Sequence, residues 1–233
     1  MNLIKLKEDK MKKLITALFG LMFAISTASA EVGVNVGVSG QLGLFAATAT
    51  ETDTGSHGTT TGDDEKNSKS DFIGLGYASI FIEKELGPLT VGVDYVPTAL
   101  ETETSETLID DKTTSDTSTA VTNKVQVDFE DLTTVYLALN VTENAYVKAG
   151  YVQVDIITNE SLGTGSTYKN ADIDGVSLGI GYNKDFDNGM FLRAEGNYME
   201  FDGTSVTSSS GSQKISLNSV DGVTGKLSLG RSF

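Results

Sequence analysis

Val32-Gly33-Val34-Asn35-Val36-Gly37-Val38-Ser39-Gly40-Gln41-Leu42-Gly43-Leu44 reads as a strand with two unlike faces. Val32, Val34, Val36, Val38, Leu42 and Leu44 fall on one side, and Gly33, Asn35, Gly37, Ser39, Gln41 and Gly43 on the other. Alternation with period 2 is the mark of a strand with one apolar face. The second face decides the solvent. A soluble ligand-carrying barrel turns its apolar face inward, whereas here glycine, serine and asparagine suit a crowded, hydrated lumen and valine and leucine suit lipid.

The pattern recurs. Val176, Leu178, Ile180 and Tyr182 alternate with Gly175, Ser177, Gly179, Gly181 and Asn183. Further strands are predicted near Phe72–Lys84, Leu89–Pro97, Leu132–Asn140, Ala145–Ile156, Met190–Phe201 and Ile215–Phe233, eight in all. Leu86-Gly87-Pro88, Val141 to Asn144 and Asp185 to Gly189 are short connections, the last with the turn signal Asn188-Gly189. The others, about Ala46–Asp71, Thr98–Asp131, Ile157–Asp174 and Asp202–Lys214, are long and rich in Thr, Ser, Asp and Glu. Short turns at one end and long loops at the other predict an all-β, up-and-down antiparallel transmembrane barrel with both termini at the short-turn end.

Some strands read less cleanly. Phe72–Lys84 has apolar residues in both phases, so its orientation stays open. Ala145–Ile156 changes phase near Gln153, which predicts a bulge or an emergence into water. Val125, Val127 and Phe129 alternate inside the longest loop, so ten strands is the alternative count; strand extensions above the membrane are the favoured reading. Tyr77, Tyr95, Tyr151, Tyr182 and Tyr198 are candidates for an interfacial aromatic belt.

The two ends carry targeting features. Lys12-Lys13, an apolar run from Leu14 to Ile25 and then Ala28-Ser29-Ala30 make a basic, apolar and small-x-small series, so residues 1–30 are expected to be a cleaved signal peptide and 31–233 the barrel. That run is too short to span a bilayer as a helix, which takes about 20 residues. At the other end Val223, Leu227, Leu229 and Phe233 share a face against Thr224, Lys226, Ser228 and Gly230. The last strand is expected to close against Val32–Leu44.

The chain has no Cys, which excludes a disulfide framework and thiolate chemistry. Its 17 basic and 32 acidic residues give a net charge of −15. An acidic chain lacks the basic surface that phosphate contacts need, so nucleic acid is not an expected partner.

With these features in place, the chain resembles the OmpA/OmpX-like, porin-like family of eight-stranded outer-membrane barrels. The resemblance lies in Ala28-Ser29-Ala30, the glycine-alternating strands at Val32–Leu44 and Gly175–Tyr182, Tyr146-Val147-Lys148-Ala149-Gly150-Tyr151, and Gly225 to Phe233. Arg231 stands where that family often has an aromatic residue. The resemblance implies an integral protein of the Gram-negative cell outer membrane, contact with outer-membrane lipid, and a C-terminal strand (Leu227, Leu229, Phe233) read by the barrel-assembly machinery.

Catalysis is not expected. Outer-membrane hydrolases and acyltransferases need a base such as His at the outer rim. The single His57 sits in Gly55-Ser56-His57-Gly58, with nothing to hold a geometry. Asp63-Asp64 and Asp110-Asp111 lack the Asp-x-Asp-x-Asp-Gly spacing of a dedicated calcium loop, so neither metal nor cofactor is expected. The lumen holds more. With the apolar phase outward, Asp94, Lys148, Arg193 and Glu195 point inward, each three to five residues from a short turn. At ~3.3 Å per residue on tilted strands they share a depth on the order of 10 Å from the rim, where they are expected to form a neutral plugging network.

The reading is a non-catalytic envelope barrel with at most minor solute passage. Adhesion or ligand binding through the long acidic loops, and a small diffusion channel, are the alternatives.

Overall fold

The computed structural model describes residues 33–53, 65–111, 119–162, 166–211 and 213–233. Residues 1–30, His57 and Asp63-Asp64 lie outside these. The described chain is all strand and connection: β1 (Val34–Asp53), β2 (Glu65–Leu86), β3 (Leu89–Tyr95), β4 (Leu100–Glu101), β5 (Ser105–Asp111), β6 (Thr119–Asn140), β7 (Ala145–Ser161), β8 (Ala171–Asp185), β9 (Met190–Phe201), β10 (Thr204–Thr207) and β11 (Gln213–Ser232).

Every pairing is antiparallel, and β1 pairs with β11 from Asn35↔Ser232 upward, which closes the ring. The main-chain groups of Val34 and Phe233 complete that seam, with Phe233 N donating to Val34 O at 2.9 Å. Short strands β4 and β5 continue the line of β3 along β6, and β10 continues β9 along β11. The barrel therefore has eight staves, two of them interrupted. The alternation at Val125, Val127 and Phe129 belongs to an extension of β6 and adds no stave.

The outer wall records its solvent. Val36, Val38, Leu42, Leu44, Ile80, Leu137, Val147, Leu178, Ile180, Leu192, Leu227 and Leu229 all project outward and exposed, Leu42 at 75%. A water-soluble protein does not expose a continuous apolar girdle of this extent, whereas a membrane-spanning barrel requires one. At the girdle's upper edge three outward tyrosines sit beside outward acids. Tyr95 donates to Asp131 at 2.6 Å and Tyr198 to Asp221 at 3.1 Å, and Asp174 accepts from Tyr151. Beyond this edge the outward face turns hydroxylic: Thr48 and Thr50 on β1 hydrogen-bond Ser70 and Ser68 on β2 at 2.9 and 2.8 Å. The strands thus run well past the boundaries that apolar alternation marks, because in water their outer face becomes polar. Tyr77 is an exception to the expected belt: it faces the lumen, 8% exposed.

Inside, rings lie on glycines. Gly37 pairs with Phe81, Gly92 with Tyr136, Gly181 with Tyr146, Gly230 with Phe191 and Gly222 with Phe45, each directly across a ladder. A Cβ on any of these glycines would stand 2.1 to 2.4 Å from the facing ring. An eight-stranded lumen holds side chains and little else, and the missing Cβ atoms let five aromatic rings fit into it. β2 is thereby oriented: Phe81, Tyr77 and Glu83 point in, Phe72 and Ile80 out.

Two departures from the expected regularity matter. The phase of β7 does not change at Gln153; Val152, Val154 and Ile156 continue inward, because the lumen at that height is apolar. The bulge lies across from it on β6, where Asp131 and Leu132 interrupt the register and Asp131 takes a φ of 53°. Asp tolerates the left-handed region better than most residues. The wall also splits. β2 pairs with β3 from Leu86↔Leu89 up to Ile80↔Tyr95; above that, among the described residues, β2 pairs only with β1, while β4 and β5 pair with β6.

Candidate functional site

The lower lumen is a layer of paired charge. Arg193 on β9 donates from both terminal nitrogens to Glu83 on β2, at 2.5 and 2.9 Å. Glu83 also accepts from Tyr136 at 2.6 Å and from Asn35 at 3.3 Å, so a fully buried carboxylate has four donors. The Arg193 guanidinium is caged by Phe191, Tyr146 and Phe81 at 5.0, 5.3 and 5.5 Å. Close by, Lys148 on β7 donates to Glu195, and Lys226 on β11 donates to Asp94 and stands 3.6 Å from the second Glu195 oxygen.

All four residues expected from strand phase, Asp94, Lys148, Arg193 and Glu195, face the lumen. Their pairing differs from a closed set of four. Lys148 meets Glu195 directly, but Arg193 takes Glu83, and Asp94 takes Lys226. Glu83 was not legible because β2 has apolar residues on both faces. Lys226 was: it shares its phase with Ser228 and Gly230 on the lumenal side. Three carboxylates and three cations then balance, which is how buried charges persist. A hole of about 10 Å³ lies among Gln41, Tyr77, Asp94, Lys148, Asn197 and Lys226, enough for about one water.

Above the charges the lumen changes character. Phe45, Tyr77, Leu132, Val154, Ile173 and Phe201 belong to one buried apolar cluster, and the same side chains line a cavity of about 730 Å³. One edge of the cavity is β2 (Asp71 to Leu75) and the opposite edge is the run from Leu100 to Glu103, so it reaches the split in the wall. Higher up, the Tyr168 hydroxyl donates to Gln213 at 3.3 Å. Burial, with Glu51 and Glu160 nearby, holds its ionisation above the usual phenol range.

No three His, Cys, Asp or Glu side chains among the described residues are grouped to hold a metal ion. Asp110 and Asp111 are ladder residues of β5, opposite Ala120 and Thr119. Leu227 and Leu229 lie on the outer face, and Phe233 is 59% exposed, with the Arg231 guanidinium 5.2 Å from its ring.

No protein-family model and no curated protein matches the sequence. Among solved structures, the chain is similar to OprG, an outer membrane protein of Pseudomonas aeruginosa, at 12% identity and a TM-score of 0.45, over 87% of this chain and 97% of that one. It is similar to the outer membrane protease OmpT of Escherichia coli at 10% identity and a TM-score of 0.42, over 86% of this chain and 96% of that one. It is also similar to Ail, the attachment invasion locus protein of Yersinia pestis, determined in complex with the heparin analogue sucrose octasulfate. There the identity is 12% and the TM-score 0.38, over 84% of this chain and 99% of that one. By its own closed ladders and lipid-facing girdle, the chain folds as an eight-stave barrel of the outer-membrane type.

Proposed function

We propose that this chain is a non-catalytic barrel of the Gram-negative outer membrane, closed to solutes and serving as an envelope scaffold with a surface-facing cup. The observation that carries this is the paired charge layer. Glu83, Arg193, Lys148, Glu195, Lys226 and Asp94 pair with one another across the lumen, beside a hole that holds about one water. A diffusion path needs a continuous wet lumen, so the channel reading ranks below the scaffold reading. Planar-bilayer recording tests it: the refolded barrel should show no unitary conductance, and steady ion conduction by the unaltered chain would overturn it.

Leu227, Leu229 and Phe233 serve in this reading as the segment recognised during membrane assembly. Phe233 gives its main chain to the β1 seam but leaves its ring largely exposed beside the Arg231 guanidinium, where such a contact can reach it. Attachment to an extracellular ligand is the second reading. It is favoured by the strands that rise beyond the girdle, since a rigid scaffold carrying polar loops is a common platform for recognition.

A further inference from the structure

The cavity above the charge layer has more apolar lining than a plugged scaffold needs. Its volume of about 730 Å³ lies within the usual range for small-molecule sites, about 300 to 1,000 Å³. Its wall is mostly aliphatic and aromatic, with Asp71, Glu101, Thr102, Glu103, Thr158, Thr204 and Ser205 as its polar members. Tyr77 is shared between this cavity and the small hole below it, and its hydroxyl is buried and makes no hydrogen bond among the described residues. Leaving such a group unsatisfied is costly, so its presence points to a mate. The rim carries acids on both sides of the split wall, Asp71 on one edge and Glu101 and Glu103 on the other, and Asp94 lies among the residues around the small hole that Tyr77 also lines.

We propose that this cup binds one uncharged molecule with a hydrocarbon body and a single hydrogen-bonding tip, of the class of long-chain alcohols, seated tip-down on the Tyr77 hydroxyl. The body fills the space between Phe45, Leu132, Val154, Ile173 and Phe201. The rim acids Asp71, Glu101 and Glu103 disfavour a carboxylate or phosphate tip. The split between β2 and the Leu100–Glu103 run begins above Ile80↔Tyr95, at the girdle's upper edge, with Phe72 (72% exposed) on its outer side, and gives the cup a side opening there. This inference goes beyond the plug reading, and its readout does not involve conductance, so the two fail separately.

The chain contains no Trp, which permits a clean test. The full barrel, refolded in phosphatidylcholine nanodiscs, is given one reporter in the cup (Phe129→Trp) or one on the lipid face (Leu42→Trp). Each is titrated with 12-bromo-1-dodecanol, 1-bromododecane and 12-bromododecanoate, whose bromine quenches Trp emission. The cup reporter should be quenched saturably by the alcohol, at concentrations where the lipid-face reporter responds only linearly, and the carboxylate should bind most weakly. Adding Tyr77→Phe, which removes only a hydroxyl, should weaken the alcohol roughly five-fold, the worth of one neutral hydrogen bond, and leave bromododecane unchanged. Heat-shifted gel mobility verifies that each variant is folded. Cup and lipid-face reporters that respond alike to all three probes would overturn the site. A Tyr77→Phe chain that keeps the original alcohol-to-alkane ratio would overturn the assigned tip.

Discussion

Arg193 and Glu83 are 110 residues apart in sequence and meet across the lumen as a two-toothed pair, the guanidinium donating at 2.5 and 2.9 Å. Removing one partner strands the other charge in a dry layer. Glu83→Ala should therefore cost about 3–5 kcal/mol, as breaking a buried ion pair does. The joint change Glu83→Gln with Arg193→Met should cost clearly less than the sum of its parts, because contacting residues are not additive. Urea unfolding in lipid vesicles, followed by gel mobility, reads both. A double change that costs the full sum of its two single changes would contradict the pairing.

The rings that rest on glycines predict a position-specific sensitivity. Gly37→Ala and Gly230→Ala would set a Cβ 2.4 and 2.2 Å from Phe81 and Phe191, and overpacking of this kind costs about 1–3 kcal/mol. Gly40→Ala, Gly196→Ala and Gly225→Ala face outward and meet nothing within 4 Å; those should stay within about 0.5 kcal/mol. Phe81→Leu should recover part of the Gly37→Ala loss. The same unfolding midpoints measure the set.

Leu42 tests which solvent the girdle faces. In water, a substitution at a residue this exposed changes stability by about 0.5 kcal/mol or less. At the depth of a bilayer, Leu42→Arg should cost about 2–4 kcal/mol, while Thr50→Arg, beyond the girdle, should be near neutral. Equal effects at the two positions, measured in vesicles, would remove the lipid-facing reading.

Phe233→Ala should separate folding from delivery. Its ring is largely outside the packed structure, and its main-chain bonds to Val34 survive the change. Refolding into vesicles should be nearly unaffected, whereas the amount of barrel recovered in cell outer membranes should fall several-fold. Parallel loss in both assays would make Phe233 a packing residue and remove its assembly role.

The faces of the strands were readable from residues alone wherever one face is glycine, serine and asparagine and the other valine and leucine, as in β1, β8 and β11. On β3, β7 and β9 the apolar phase, taken as outward, likewise placed Asp94, Lys148, Arg193 and Glu195 inside. β2 could not be read this way, because Tyr77 and Phe81 fill the lumen while Phe72 and Ile80 meet the outside, so both phases look apolar. That one ambiguous strand hid Glu83, and with it the partner of Arg193. The phase change expected at Gln153 came from assuming a polar lumen at every height; Val152, Val154 and Ile156 point inward because the upper lumen is apolar.

From residues alone came the period of most of the long strands, the short turns at Gly87 and Gly189, the solvent outside the wall and the closure of the last strand on the first. These are properties of neighbours along the chain or of a whole face, and alternation of period 2 reports them directly. Only the tertiary structure decided which lumenal charges pair, which glycine carries which ring, where the ladder between β2 and β3 stops, and that an apolar cup stands above the charges. Each of those depends on the register between strands distant in sequence. A period-2 pattern assigns a residue to a side of the wall, but the height at which it meets its partners is set by the shear of the closed ring.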